Sequence, residues 1–365
     1  MEHLIQDALR NAPVIENKIG EANIRVIGCG GGGNNMVSWL HKKGLKGAKI
    51  YAINTDKQHL DITHCDGNLL IGAELTRGLG CGGFPEKGRE AAKESIHDLK
   101  NYMKESDMVF VCAGLGGGTG TGSAPVVAQM AKETGAIVIG TVTMPFEIER
   151  ARVDKAEFGL QQLREECDTV IVIDNNRLVN IAGNLPIQQA FAVANELIST
   201  MIKGIVETIA IPSLVNLDYA DVRAIMSNGD VSVIGIGESD TESRVEEATR
   251  RALTNPLLDV SYDGASGALI HVSGGEDLTL EEVNRIGEII TEALDTDANV
   301  IWGARIDANM SGRLRVMTIV TGVTSPYILG RSNSTQVAAK QAVQVADDLG
   351  IDMVGFENQP TRKSY

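Results

Sequence analysis

Aromatic residues are scarce in this chain, at 4% of 365 residues. Its core must therefore be built from Ile, Val, Leu, Ala and Met, and a hydrophobic content of 43% supplies enough of them for two ordinary domains. Positive charge is also in deficit. The 33 Lys and Arg face 48 Asp and Glu, a formal net charge of -15. An acidic surface repels phosphate backbones, which excludes broad nucleic-acid binding. Cysteine is sparse: Cys29, Cys65, Cys81, Cys112 and Cys167 are odd in number and form no C-x-x-C pair. Free, mostly buried thiols in a reducing cytoplasm are expected. No histidine is set beside a cysteine by any motif, so nothing points to thiol catalysis. No window of about 18 apolar residues occurs, which excludes a spanning helix and direct membrane insertion. The opening "MEHLIQDALRNAP" carries acids and no long apolar stretch, so it does not read as a signal peptide.

What is abundant is glycine, with 40 residues gathered in loops and no collagen-like period. The loops punctuate an alternation of strands and helices. Apolar runs "NIRVIG", "AKIYAINTD", "SDMVFVCAGLG", "AIVIGTVTMPF" and "CDTVIVIDN" read as strands. Helices are expected over "EKGREAAKESIHDLKNYMK", "SAPVVAQMAKETG" and "VDKAEFGLQQLREE". Near-continuous Val/Ile strands separated by helices predict a parallel sheet covered on both faces, an α/β architecture of Rossmann-like type. A long helix follows in "LPIQQAFAVANELISTMIKGIVETIAIP", with Asn184 as its cap, Pro186 in its first turn and apolar residues at the helical period. It is apolar on more than one face, which suits a helix lodged between two domains. The strands and helices beyond it predict a smaller α+β domain. The expected division is an N-terminal extension with a short amphipathic helix (1–22), a nucleotide domain (23–186), a central helix (187–211), the α+β domain (212–324) and a tail (325–365).

Two glycine loops carry the chemistry. In "NIRVIGCGGGGNN" the spacing Gly28-x-Gly30-x-x-Gly33 satisfies a dinucleotide fingerprint, with Asp56 at the end of the next strand as the acid such a site would need. The second loop, "GLGGGTGTGSAP", also follows a strand and opens a helix. Glycines let the main chain wrap closely round phosphate, the amides point at the anion, and Thr119 and Thr121 add hydroxyls. No lysine follows as in a Walker loop. Two glycine nests on neighbouring strands fit one polyphosphate better than a dinucleotide, which needs a single glycine turn.

Seven motifs in order, "VIGCGGGGNN", "AINTD", "LTRGLGCGGFPEKG", "GLGGGTGTGSAP", "TMPFEIERAR", "AFAVANE" and "NLDYADVRAIM", make the chain resemble the tubulin/FtsZ superfamily, and within it the archaeal type of the FtsZ cell-division GTPases. The resemblance covers roughly residues 23–323. It implies GTP and GDP as ligands, Mg²⁺ carried on the nucleotide with no metal-binding residues assigned, and room for a monovalent cation. Gly31, Gly32, Gly33, Asn34 and Asn35 match the first phosphate loop. Gly117, Gly118, Thr119, Gly120 and Thr121 match the second. Arg77, Gly78, Gly80 and Gly82 match the loop that senses the γ-phosphate. Glu149 and Arg152 match ribose and nucleotide contacts, although "PFEIERAR" lacks the usual glycine after the glutamate, is one residue short, and offers Arg150 as a competing arginine. Asn175 and Asn195 match the readers of guanine, with Phe191 as the stacking aromatic. Phe191 and Asn195, four apart, share one helix face. By pattern alone, Asn216, Asp218 and Asp221 are helix-start chemistry, since Asn caps and Asp suits a first turn. By resemblance they form a catalytic group that enters the nucleotide site of the next subunit, where Asp218 and Asp221 orient and polarise the attacking water and Asn216 joins the contact with the nucleotide. The resemblance thus implies a head-to-tail homopolymer acting in the cytoplasm at the division site, with division-machinery and membrane-anchor proteins as further partners. A tubulin-like role in cell shape and a nicotinamide-linked oxidoreductase are the alternatives.

Overall fold

The computed structural model describes residues 22–323 apart from 212, 216, 218, 227–231, 255–261, 263, 264 and 297. The helix expected over residues 1–20 and the tail beyond 323 lie outside the described residues.

Strand β1 (Ile24–Cys29) runs straight into helix α1 (Gly30–Lys43). There follow β2 (Ala48–Asn54), α2 (Lys57–Asp61), β3 (Gly67–Leu70), α3 (Ala73–Thr76), α4 (Pro85–Glu94), α5 (Ile96–Met103) and β4 (Met108–Gly114). Then come α6 (Thr119–Glu133), β5 (Ile137–Met144), a 3₁₀ turn (Glu147–Glu149), α7 (Ala151–Glu166), β6 (Thr169–Asp174) and α8 (Asn175–Ala182). The six strands form one sheet in the order β3-β2-β1-β4-β5-β6, and every pairing is parallel. Strands β1 and β4 are central neighbours, and the chain reverses its direction of winding between them. In open α/β sheets, ligands bind beyond the carboxyl ends of the strands at that reversal. Both faces are covered, so β6 is buried along its whole length and β4 and β5 nearly so, as their Val/Ile runs require. Phe110 on β4 is the largest fully buried side chain.

Several local expectations are corrected. The segment Glu86–Lys104 is not one helix: it breaks at Ser95, whose hydroxyl accepts the Gly72 N–H at 3.1 Å. Helix α6 starts at Thr119, inside the glycine loop, rather than at Ser123. The edge strand β3 and helix α8 have only four and eight residues, too short for a period to show in the sequence.

The long helix α9 (Ile187–Ala210) is 24 residues, about 36 Å. Pro186 precedes its first turn instead of sitting in it, and the Pro186 carbonyl accepts from Gln189 and Ala190 N–H. Asn184 is therefore not the cap. Ile198, Met201, Ile202 and Ile205 of α9 are buried, each contributing roughly 2 kcal/mol. Beyond α9 lie α10 (Tyr219–Met226), β7 (Ser232–Ser239), α11 (Arg244–Leu253), β8 (Gly267–Gly274), α12 (Leu280–Thr291), β9 (Asn299–Ile306) and β10 (Leu314–Thr321). Their sheet is mixed, in the order β7-β10-β8-β9, with β10 antiparallel to both neighbours and β8 parallel to β9. Helices α11 and α12 seal one face through Ala248, Ala252, Ile286 and Ile290. The other face meets α9, where Gly204 passes so close that a Cβ would lie 2.9 Å from Met317 Sδ.

Candidate nucleotide site

The β1–α1 and β4–α6 junctions meet at the carboxyl edge of the large sheet. Between them opens a cleft of about 340 Å³. Its lining includes Gly31 and Gly32 from the first loop and Gly114, Gly117, Gly118, Thr119 and Gly120 from the second. Glu149, Arg152, Asn175 and Phe191 line it as well. Residues spread over 160 positions of chain, from four strand–helix junctions and from α9, are thus brought to one concavity.

The glycines divide by what a side chain would meet. A Cβ on Gly31 or Gly117 would find no atom within 4 Å, so both backbones face open cleft. A Cβ on Gly33 would lie 2.1 Å from the Cys112 carbonyl oxygen, so Gly33 allows α1 to approach β4 and does not line the cleft. Gly118 is hemmed in on its far side by Cys81 and Phe84, where a Cβ would stand 2.7 Å from Cys81 Cβ. Asn34 is fully buried. With its amide oriented to satisfy its neighbours, the nitrogen lies 2.9 Å from the Gly28 carbonyl, 3.1 Å from that of Gly30 and 3.2 Å from that of Ile53, sharing its two protons among them, and the oxygen accepts from Asn54 Nδ2 at 3.1 Å. It thereby holds the first loop to the end of β2. Asn35 is exposed and outside the lining. Thr121 is buried, and its hydroxyl accepts the Gly116 N–H at 2.9 Å, bracing the second loop from behind. The Thr119 hydroxyl lies in the cleft, 2.6 Å from Thr55 Oγ1.

The segment Arg77–Gly83 packs against the second loop through that Gly118 contact. Arg77 and Gly78 both adopt left-handed φ, 54° and 75°, and Lys155 Nζ donates to the Gly83 carbonyl at 2.8 Å. Arg77, Gly78, Gly80 and Gly82 stand beside the cleft, outside its lining. Glu149 is fixed by accepting the Phe146 N–H at 3.0 Å and pairs with Arg152 at 2.6 Å. Arg152 lines the cleft and Arg150 does not. Arg150 instead sits at φ 39°, a strained conformation for a residue with a side chain. Phe191 is 40% exposed and meets Phe146 edge to face at 6.1 Å between ring centres. Asn195 is one turn further along α9 and outside the lining.

Phe146, Pro145, Thr143 and Leu115 complete the lining and were not singled out from sequence. Their signal was positional: each lies at or just beyond the carboxyl end of β4 or β5. Asp56, the acid of the dinucleotide alternative, is engaged as the N-cap of α2, accepting the His59 N–H at 3.1 Å. All five thiols are free, and burial pushes that of Cys112 up to about 12, so it stays protonated. No group of three His, Cys, Asp or Glu among the described residues could cage a metal ion. None of their helices is long and apolar enough to cross a membrane.

The acidic segment lies elsewhere. Asn216 and Asp218 fall outside the described residues. Asp221 is in the first turn of α10. Just before it, the Tyr219 hydroxyl donates to the Asp107 carbonyl at 2.6 Å, at the amino end of β4, and Val215 pairs with Ala304 of β9. The glycine cleft and α10 therefore occupy opposite edges of the large sheet. The seven residues of β4 between them span roughly 20 Å.

A doubly wound sheet with two glycine loops at its carboxyl edge, joined by a long helix to a small mixed sheet, defines a nucleotide-binding protein of tubulin-like architecture. Comparison with known proteins makes this specific. The model described as Tubulin/FtsZ family, GTPase domain, matches residues 23–183, and the FtsZ family C-terminal domain matches residues 230–324. Cell division protein FtsZ 2 of Methanocaldococcus jannaschii is 57% identical across 90% of this chain and 88% of its own. Cell division protein FtsZ 2 of Halobacterium salinarum is 48% identical across 96% and 93%. The solved FtsZ dimer of M. jannaschii superposes with a TM-score of 0.77 at 48% identity, covering 88% of this chain and 92% of that one. The chain belongs to the FtsZ family of tubulin-like GTPases.

Proposed function

We propose that this GTPase binds GTP in the glycine cleft, assembles head to tail with copies of itself, and completes each active site with the acidic segment of the neighbouring subunit. The single observation that carries this reading is the separation of the two halves of the chemistry. The phosphate cradle is at the carboxyl edge of the large sheet, and α10 with Asp221 is at the amino edge, roughly 20 Å away along β4. No side chain reaches that far, so a second copy must supply the carboxylates. An interface that joins one edge to the opposite edge is heterologous and does not close, which gives filaments.

In this reading Gly31, Gly32, Gly117, Gly118 and Gly120 present main-chain N–H groups to the phosphates, with Thr119 adding a hydroxyl. The first turns of α1 and α6 add their positive dipole ends. Gly33, Asn34 and Thr121 act behind the cradle, holding its shape. Glu149 and Arg152 contact the ribose side, Phe191 with Phe146 offers an apolar face to the base, and Asn175 and Asn195 read its edge. Arg77 and the glycines after it sense the γ-phosphate through their packing on the second loop. Asp221 and Asp218 of the neighbour orient and polarise the attacking water, and its Asn216 joins the contact with the nucleotide. Phosphoryl transfer is mostly positioning and electrostatic stabilisation, so bringing these groups together only at a subunit contact couples hydrolysis to assembly. Mg²⁺ would take its ligands from the nucleotide's own oxygens.

The proposed domain division is 23–186, 187–211 and 212–324, and the proposed setting is the cytoplasm at the division site. Division-machinery and membrane-anchor proteins are the proposed further partners. Relatives named for cell division favour that role over one in cell shape. The test is phosphate release from GTP across a protein dilution series, with sedimentation in parallel. Specific activity should rise from near zero above a threshold concentration, and a constant specific activity down to high dilution would refute the shared site.

A further inference from the structure

A second concavity of about 300 Å³ lies between α9 and the inner face of the mixed sheet, remote from the glycine loops. Its lining carries four cations, Lys43 from the end of α1, Lys203 from α9, Arg305 from β9 and Arg315 from β10, against one carboxylate, Glu207. This is the reverse of the chain's overall charge. Each cation has an acidic neighbour: Glu196 for Lys43, Glu207 for Lys203, Asp307 for Arg305 and Glu238 for Arg315. Three of those four acids lie outside the lining. Lys43 also donates to Thr200 Oγ1 at 2.6 Å, Lys203 to the Gly44 carbonyl at 2.8 Å, and Arg315 to Glu238 through Nε and Nη2.

A second observation points to a ligand. His271 on β8 lines the same cleft and is 5% exposed, yet its Nε2 has no hydrogen-bond partner, while Nδ1 stands 3.4 Å from the Ser273 hydroxyl. A buried polar atom without a partner is costly, and in the tautomer whose Nδ1 accepts from Ser273, Nε2 carries the proton and has no acceptor. Burial, then Arg305 and Arg315, hold its ring neutral down to about pH 4. An anion between these groups would accept from Nε2–H and offset the charge of Arg305 and Arg315, which raises the midpoint of the ring.

We propose that this interdomain cleft binds a compact, multivalent oxyanion of the phosphate class, held by Arg305, Arg315, Lys43 and Lys203, with the His271 Nε2–H donating to it. The ion would tie the end of α1, the long helix and the mixed sheet together, and so fix how the two sheets sit relative to each other. The proposal is independent of the function assigned to the glycine cleft.

The test uses the full chain saturated with GDP and kept dilute, titrated with inorganic pyrophosphate. Calorimetry measures binding and the His271 ring resonances report protonation. Saturable binding is expected, with the His271 midpoint raised by about one unit or more. Arg315→Gln should weaken binding about tenfold, as expected for loss of a charged partner; Glu238 keeps Arg313 within 4.0 Å, so the variant leaves no unpaired acid. A His271 midpoint unmoved by pyrophosphate in the wild-type chain overturns the proposal without any variant. So does binding that Arg315→Gln leaves unchanged, which would place the ion elsewhere. Equal binding of citrate would overturn the phosphate class. ATP run in the same titration separates two sources of one chemistry: competition with pyrophosphate assigns the cleft to a nucleotide's polyphosphate tail, and no competition assigns it to the free ion.

Discussion

Replacing Gly117 with alanine separates the two jobs that glycine does in this site. The added methyl would meet no atom within 4 Å, and Gly117 does not have a positive φ, so neither a clash nor backbone strain opposes it. Folding stability should stay within about 0.5 kcal/mol of wild type, the ordinary range for a harmless surface change. The methyl would instead stand in the cleft where the phosphates are proposed to lie. Displacing them by a methyl radius breaks one or two charged hydrogen bonds, each worth about 1.5–3 kcal/mol. GTP affinity should fall roughly 10- to 100-fold per bond lost. Gly33→Ala is the counterpart. Its methyl would lie 2.1 Å from the Cys112 carbonyl oxygen, so α1 must shift off β4 at a cost of about 1–3 kcal/mol, the range for overpacking. Fluorescent-GTP titration and thermal unfolding of both variants check the contrast. If Gly117→Ala binds GTP as wild type does, or if Gly33→Ala keeps its melting temperature, the division of glycines into ligand-facing and packing positions is wrong.

Other perturbations have equally definite outcomes. Arg150→Gly should raise stability by about 1 kcal/mol in denaturant titration, because glycine relieves the φ of 39° at no side-chain cost, and GTP binding should not change. Arg152→Ala should weaken GTP binding, since Arg152 lines the cleft and pairs with Glu149. Phe191→Ala should cost about 1–3 kcal/mol of nucleotide affinity with little change in melting temperature, as the ring is already 40% exposed. Stability should fall as pH drops from about 6.5 towards 4. The unfolded chain protonates His271 at its ordinary value while the folded chain keeps it neutral to about 4, so the unfolded state binds more protons in that window. Full protonation would remove about 3 kcal/mol, and His271→Asn should flatten this part of the pH profile in urea unfolding.

Most of the architecture was legible in the sequence because its signals are local. Val/Ile runs that stay apolar for six to eight residues mark β4, β5 and β6, and the glycine loops announce where the chain turns at the sheet edge. Elements without a full period were not legible: β3 is four residues at an edge, and Ser95 breaks a helix whose apolar pattern continues past it. Within the site, composition could not tell one glycine from another. Gly31 and Gly33 look alike in "GGGGNN", and only the distance to Cys112 on a different strand separates them. Asn34 and Thr121 have polar side chains beside a phosphate loop, yet their groups turn inward to Gly28 and Gly116. Phe146 was passed over because nothing in "TMPFEIER" says that it meets Phe191 from another helix. Arg150 and Arg152 could not be told apart in the sequence either: only the fold shows that Arg152 lines the cleft and Arg150 does not.

The most direct test of the split site is to mix two impaired variants. Asp221→Asn keeps the cradle and loses a carboxylate, and Gly117→Ala keeps the carboxylates and loses the cradle. At GTP concentrations near the wild-type affinity, Asp221→Asn should hydrolyse at least about a hundredfold more slowly, the loss expected for a catalytic carboxylate, and Gly117→Ala roughly 10- to 100-fold more slowly through its weakened GTP binding. Mixed in equal amounts, they should regain a substantial fraction of wild-type phosphate release, because an intact cradle on one protomer meets an intact acidic segment on another. A mixture no more active than its components, at concentrations where the wild type assembles and turns over, would contradict the account.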